Sequence, residues 1–237
     1  MNQEGIRLNK FLASCGIGSR RACDALIQKG GVTLNGDACT NPATRVGAED
    51  VVRLEGKRVL PRQNTTVLFK KPRGYVCSKQ DELGRATIYD LLPPKLRHLN
   101  HVGRLDRDSE GLLVLSNDGD LANRLTHPRN KVEKEYRVTL SKSPQNHDLQ
   151  KLLQGVRTPE GHARAKSFRR LSPRRLSLVL ETGLKRQIRE MFATLGYQVD
   201  KLFRIRIGRL TDPDLPVGRW RHLEHHEIEL LSLDPAE

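Results

Sequence analysis

The chain has 237 residues, 36% of them hydrophobic and 30% charged, with a formal net charge of +14. That is enough for one substantial core and a small companion module, and the positive balance favours a polyanionic partner, because cations placed on phosphates release condensed counterions. No apolar run approaches the roughly 18 to 20 residues that span a bilayer, and the polar start Met1-Asn2-Gln3-Glu4 lacks the apolar region of a signal peptide; a cytoplasmic protein with no membrane partner is expected.

In the first segment Leu8, Phe11 and Leu12 recur at helical spacing. Ser19 is placed to cap a second helix carrying Ala22, Cys23, Leu26 and Ile27, which Gly30 and Gly31 stop. Val32-Thr33-Leu34 then runs into the tight-turn signal Asn35-Gly36, and Val51-Val52-Arg53-Leu54 offers a partner strand. The result is a helix-helix-sheet unit. Val59 to Thr66, with Pro61 and little apolar character, reads as a linker. Cys15, Cys23, Cys39 and Cys77 form no CxxC pair, so neither a zinc site nor a redox motif is indicated.

Val67 and Phe69 alternate with Leu68 and Lys70 into Lys71-Pro72-Arg73-Gly74-Tyr75-Val76-Cys77-Ser78, which reads locally as a hairpin. A short helix beginning near Thr87 ends at Pro93-Pro94. The run His101 to Leu115 then places a dense polar loop, with Asp106 at its middle and Arg104 and Arg107 beside it, directly before a continuous apolar strand. Gly103 and Gly111 allow sharp turns at both ends. Two structural readings compete with a catalytic one. Asp106, Asp108, Glu110 and Gly111 match the start of an EF-hand loop, but Asn117 stands where the bidentate Glu is required. A solvated salt-bridge turn is the other.

Asn117-Asp118-Gly119-Asp120 makes a turn that caps a helix carrying Leu121 and Leu125. In Lys134 to Leu140, Tyr136, Val138 and Leu140 share one strand face, so a core tyrosine is the local default. Arg164, Lys166, Arg169, Arg170, Arg174 and Arg175 crowd like charge that an anionic partner would relieve, an RNA rim. After the strand of Leu176, Leu178 and Leu180, Thr182-Gly183 turns into a helix with the core stripe Ile188, Met191, Phe192 and Leu195; Arg186 and Arg189 flank it. Phe203, Ile205 and Ile207 alternate with Arg204 and Arg206, a strand with one apolar and one basic face. Trp220 reads as packing, and His225 and His226 lack the partners a metal needs.

Several of these segments together resemble a known family. Gly103-Arg104-Leu105-Asp106, Ser109 and Gly111-Leu112-Leu113 are similar to the catalytic signature of the RNA pseudouridine synthases, most of all the small- and large-subunit ribosomal RNA type. The resemblance makes Asp106 the essential residue. Lys71-Pro72-Arg73-Gly74 resembles the opening motif that helps build the cleft. Lys134-Glu135-Tyr136 resembles the step whose Tyr stacks on the target uracil, which raises Tyr136 above the core default. Thr182-Gly183 with Arg186-Gln187-Ile188-Arg189 resembles the third motif, whose final Arg, here Arg189, pairs with the catalytic Asp. Arg7 to Leu12, Gly16, Ser19 to Ala22 and Val32 to Gly36 resemble the alpha-L RNA-binding module, and Leu215 to Leu223 the closing segment. Substrate contacts are then expected from Arg7, Lys10, Arg20, Arg21, Lys29, Arg104 and Arg186. Taken singly, such cations are ordinarily a solvated face.

The resemblance implies an α+β chain: a small N-terminal alpha-L RNA-binding domain over 1–62 and a pseudouridine synthase catalytic domain over 63–237, with a mixed, mainly antiparallel sheet flanked by helices. It implies isomerisation of uridine in ribosomal RNA, large-subunit RNA favoured over small, free or within a pre-ribosomal particle, by a monomer needing no cofactor and no metal. A non-catalytic RNA-binding or ribosome-assembly factor would need the basic surfaces but not Asp106, Tyr136 and Arg189 together. A metal-dependent nuclease would use Asp106 and Asp108 to hold metal and would stop in EDTA.

Overall fold

Ile6–Arg7 (β1) leads straight into α1 (Leu8–Ser14), the first elements of the computed structural model, which describes residues 5–232 and divides after Asn64 into two units. In the first unit α2 (Arg20–Gln28) starts where Ser19 Oγ accepts from the Ala22 amide at 3.2 Å. The remaining elements are β2 (Val32–Leu34), β3 (Asp37–Ala38), β4 (Arg45–Val46), β5 (Val52–Leu54) and β6 (Lys57–Arg58). Asn35 and Gly36, at φ 53° and 99°, take the two left-handed positions of the turn between β2 and β3. β5 pairs with the other edge of β2, giving the order β3-β2-β5-β6. Leu8, Leu12, Cys23, Ile27, Val32 and Val52 are buried together, each apolar side chain contributing about 1.5 to 3 kcal/mol. Ala22 is exposed and adds nothing to that stripe. The expected linker is partly pinned: the Val59 amide donates to Val52 O and the Arg62 amide to Ser14 O.

The second unit comprises β7 (Thr66–Lys71), β8 (Asn100–Val102), β9 (Glu110–Ser116), α3 (Gly119–Thr126), β10 (Lys134–Leu140), α4 (Asn146–Gln154), β11 (Val156–Thr158) and β12 (Gly161–Ala163). It continues with β13 (Ser167–Ser172), β14 (Arg175–Leu180), α5 (Gln187–Thr194), β15 (Val199–Ile207), β16 (Leu210–Thr211), β17 (Trp220–His222) and α6 (His225–Leu230). Its main sheet runs β13-β14-β10-β15-β9-β7-β17, with β8 on β9 and β16 on β15, and only β15 and β9 are parallel. The hairpin expected after Lys71 does not form. Both edges of β7 are taken, by β9 and β17, and beyond Gly74 the chain makes a single isolated bridge, Val76 to Thr87.

One face of the sheet, with Tyr136, Val138, Leu140, Leu176, Leu178 and Leu180, packs on Leu149 and Leu152 of α4 and on Ile188, Met191 and Phe192 of α5. The other, at Leu112, Val114 and Ile207, packs on Leu121 and Leu125 of α3 and on α6. Trp220 packs beside Val67, Phe69, Leu113 and Leu115. Among the described residues no helix is long and apolar enough to cross a membrane.

The basic face expected on β15 is overturned. Phe203 lies opposite Arg137, Arg204 opposite Tyr136 and Arg206 opposite Glu135, so Ile205 is the extra residue of a bulge that breaks the alternation. Arg204 therefore turns into the core at 4% exposure. Arg206 is neutralised by Glu135 at 2.9 Å and Glu133 at 3.1 Å.

Candidate active site

The loop between β8 and β9 carries Asp106, and four consecutive main-chain carbonyls of that loop are held from outside it. Lys71, wholly buried at the end of β7, sends its Nζ to Asp106 O at 3.0 Å, Arg107 O at 3.3 Å and Ser109 O at 2.8 Å, and to Pro72 O at 3.0 Å. The Gly74 amide donates to Arg107 O at 2.9 Å and Arg107 Nε returns a bond to Gly74 O at 3.3 Å. Arg189 Nη2 donates to Asp108 O at 3.0 Å. Burial pulls the Lys71 ammonium below its usual range, a shift opposed by nearby groups that include Cys77 and Asp106. The Lys-Pro-x-Gly step is thus a brace for the Asp106 loop.

At the strand end, Gly111 has φ 110°, and a Cβ there would lie 2.2 Å from Arg204 O. This closeness lets β9 and β15 pair in parallel and brings the Asp106 loop beside β10 and β15. Asp106, half-buried, and Tyr136, at 8% exposure, line one narrow cleft of about 70 Å³ together with Arg104, Ser109, Thr182, Arg186 and Gln187. The roof is fixed by Gln187: its Oε1 accepts from the Leu184 amide at 3.0 Å, and its Nε2 donates to Thr182 Oγ1 at 2.8 Å. Arg186 sits at φ 52° as the N-cap of α5, a left-handed conformation that costs a non-glycine residue about 1 to 2 kcal/mol. Both Arg104 and Arg186 are exposed.

Arg189 is placed differently from expectation. It forms no ion pair with Asp106; the carbonyls of Val199, at 2.7 Å from Nη1, and of Asp108 claim its fork. Burial chiefly, and then Arg186, lower its pKa, while Asp106 and Asp108 oppose the shift, so its charge acts on the loop at close range. It lines an adjoining hollow of about 750 Å³ with Arg73, Asp108, Arg186 and Asp200.

Arg204 was not read as part of the site. Its Nε donates to Leu112 O at 2.6 Å and its Nη1 to the Tyr136 hydroxyl at 3.5 Å, while Nη2 is buried without a partner. The signal in the sequence was hidden by the bulge at Ile205. The basic run from Arg164 to Arg175 is also less free than expected: Lys166 pairs with Glu133 at 2.6 Å and Glu181 at 3.2 Å, and Arg170 bonds Pro144 O at 2.8 Å and Asn146 Oδ1 at 3.0 Å. In the first unit Arg7, Arg20, Arg21 and Lys29 are exposed and Lys10 is half-buried. Among the described residues no group of three or more His, Cys, Asp or Glu is placed to hold a metal ion.

A family model described as RNA pseudouridylate synthase matches residues 65–194, and an S4 domain model matches residues 6–52. The ribosomal large subunit pseudouridine synthase B of Bacillus subtilis is 34% identical over 231 residues, 95% of this chain and 95% of that protein. An uncharacterised RNA pseudouridine synthase of Mycobacterium bovis is 37% identical over 233 residues, 94% of this chain and 92% of its own length. A crystal structure of a pseudouridylate synthase superposes with a TM-score of 0.70 at 30% identity, covering 95% of this chain and 99% of the other.

Proposed function

Since this chain belongs to the RNA pseudouridylate synthase family and carries an S4 domain, we propose that it isomerises a defined uridine of large-subunit ribosomal RNA, with Asp106 as the catalytic carboxylate. The observation that carries this reading is the meeting of Asp106 and Tyr136 in one cleft, edged by the exposed cations Arg104 and Arg186. The large-subunit assignment rests on relatives named for that activity, in Bacillus subtilis and in Vibrio cholerae.

The reaction breaks the bond from uracil N1 to ribose C1′, turns the uracil while it is held, and joins C5 to C1′. The C5 hydrogen leaves as a proton and N1 takes one up, so atoms balance without redox change. Asp106 acts as nucleophile or base, at the ribose or at the base ring, and Tyr136 stacks on the uracil taken out of its helix and relays a proton. Arg104 binds the flanking phosphate or fills the space the uridine leaves. Arg189 acts as a positioning residue, holding Asp108 O and so the loop. The enzyme works as a monomer on free RNA or on an assembling particle.

The test is nucleotide-resolution pseudouridine mapping of ribosomal RNA from cells lacking the gene, complemented with wild type or with Asp106→Asn. The expected result is one lost large-subunit site restored by the wild type alone. Rescue by Asp106→Asn, or no lost site, overturns the reading and favours a binding or assembly factor.

A further inference from the structure

The face of the main sheet opposite the Asp106 cleft is covered by α3 and α6 only over β7, β8, β9 and the end of β15. Over β13, β14, β10 and the start of β15 no buried hydrophobic residue among the described residues points to this side. Cross-strand register fixes what it presents. One row runs Arg169, Ser177, Arg137, Phe203, and the next carries Arg175, Thr139 and Lys201. Arg137, Arg169, Arg175 and Lys201 are all exposed. The acids at the neighbouring end of this face are already engaged: Glu135 by Ser177 and Arg206, Glu133 by Lys166 and Arg206. Arg169 also acts on Glu135, but behind the closer Ser177 and Arg206, and among the described residues no salt bridge engages Arg137, Arg175 or Lys201.

Register sets Arg169 and Arg137 two strands apart with Ser177 between them, and Arg175 and Lys201 likewise with Thr139 between them, each pair at about 10 Å, so their like charges add across the face. A set of exposed cations at that spacing, beside the half-buried ring of Phe203, complements a phosphate backbone. We infer that this open sheet face is a second RNA surface, which grips the phosphate backbone of the substrate RNA away from the target uridine. The inference rests on the proposed RNA substrate for its choice of polyanion, but it assigns a surface that the cleft chemistry does not require.

The test is equilibrium binding, as a function of salt, to an unmodified transcript of large-subunit ribosomal RNA. Three proteins are compared: wild type, the triple variant Arg137→Gln with Arg169→Gln and Arg175→Gln, and the corresponding triple Lys variant. Each lost phosphate contact removes about 0.7 to 0.9 from the slope of log affinity against log salt, so the Gln variant should lose about 2 in slope and about a hundredfold in affinity near 0.1 M salt. The Lys variant, which keeps the charges, should keep the slope. An unchanged slope in the Gln variant overturns the inference, as does an equal loss in both variants, which would mean that fold rather than charge was read. Binding is measured without turnover. If the wild type makes no pseudouridine in this transcript, the proposed substrate fails, while the slopes still decide on the sheet face.

Discussion

Arg204 lies opposite Tyr136 across β15 and β10, its Nη1 3.5 Å from the phenolic oxygen and its guanidinium carbon 6.0 Å from the ring centroid. Both residues are buried, so the guanidinium fixes a tyrosine that the proposed reaction needs rigid. Arg204→Met removes the donor from Leu112 O as well as from Tyr136. The expected cost is about 1 to 3 kcal/mol, visible as a Tm lower by several degrees, with turnover falling further than RNA affinity. Arg204→Lys should recover part of the stability but little of the turnover, because the ammonium lacks the planar, spread fork that spans Leu112 O and the Tyr136 hydroxyl together. Full turnover in the Met variant would show that Tyr136 needs no such support.

Lys71 makes a sharper prediction. Lys71→Met keeps the stem and removes the donor shared by Asp106 O, Arg107 O and Ser109 O. Arg107 O keeps the Gly74 amide and Asp106 O the Ser109 amide, but the buried Ser109 O loses the Lys71 donor; a buried carbonyl left unpaired costs about 1 to 3 kcal/mol before relaxation, so urea unfolding should detect the loss directly. Single-turnover rates should drop by about tenfold or more, as a loosened loop misplaces its carboxylate. RNA affinity, carried by exposed cations elsewhere, should change little. A variant as stable and as fast as wild type would remove Lys71 from the positioning of Asp106.

What could be read in advance follows the range of the interactions. Local signals were sufficient for α1, α2 with its Ser19 cap, the Asn35-Gly36 turn, α3 capped by Asp118, and β10 with Tyr136 facing the core. The α+β class and the mainly antiparallel sheet were also legible, the sheet only through the family resemblance. Non-local facts were not. A lysine in a strand pattern looks like a solvated residue until the carbonyls that cap it are known, and those of Lys70 lie at Asp212, Pro213 and Leu215. Arg204 was misassigned because strict alternation was assumed across a bulge, and the Lys71 to Ser78 hairpin because the strands that occupy both edges of β7 come from far along the chain. Arg189 meets the loop at Asp108 O and not at the Asp106 carboxylate, and the rest of its fork is claimed by Val199 O, which no motif spells out.

Lys134, two residues before Tyr136 on β10, carries a pH dependence with a definite sign. Burial chiefly, and then Arg204, lower its pKa from 10.5 to about 8. Below about pH 8 the ammonium is charged in both folded and unfolded chains, and the folded state bears the full burial penalty. Between about pH 8 and 10.5 the folded protein releases its proton first, so the unfolded state binds more protons and stability rises with pH. Lys134→Met lacks this term. Relative to its value at pH 10.5, the stability of the Met variant measured against wild type should be most favourable below pH 8, and the difference should decline through that window. A difference that is flat from pH 7 to 10.5 would contradict a depressed Lys134.

Gly111→Ala tests whether the close approach of β9 to β15 holds the site together. At φ 110° an L side chain is strained, and the added methyl would stand 2.2 Å from Arg204 O and 2.6 Å from Arg204 N, main-chain atoms that cannot swing aside. Relief requires β15 to move away from β9, which breaks the parallel pairing of Phe203 with Glu110 and of Arg204 with Gly111. The same movement shifts Arg204 off Leu112 O and Tyr136, and so disturbs loop, tyrosine and arginine at once. Strain of this kind costs about 1 to 3 kcal/mol from the backbone conformation alone, and the clash adds to it. Gly103→Ala is the comparison, because Gly103 also has a positive φ, 72°, but the nearest atom to its added methyl is Thr126 Cγ2 at 3.7 Å. Thermal unfolding should place Gly111→Ala well below Gly103→Ala, with loss of turnover only in the former; equal Tm values for the two would mean that β9 and β15 can part without consequence for the site.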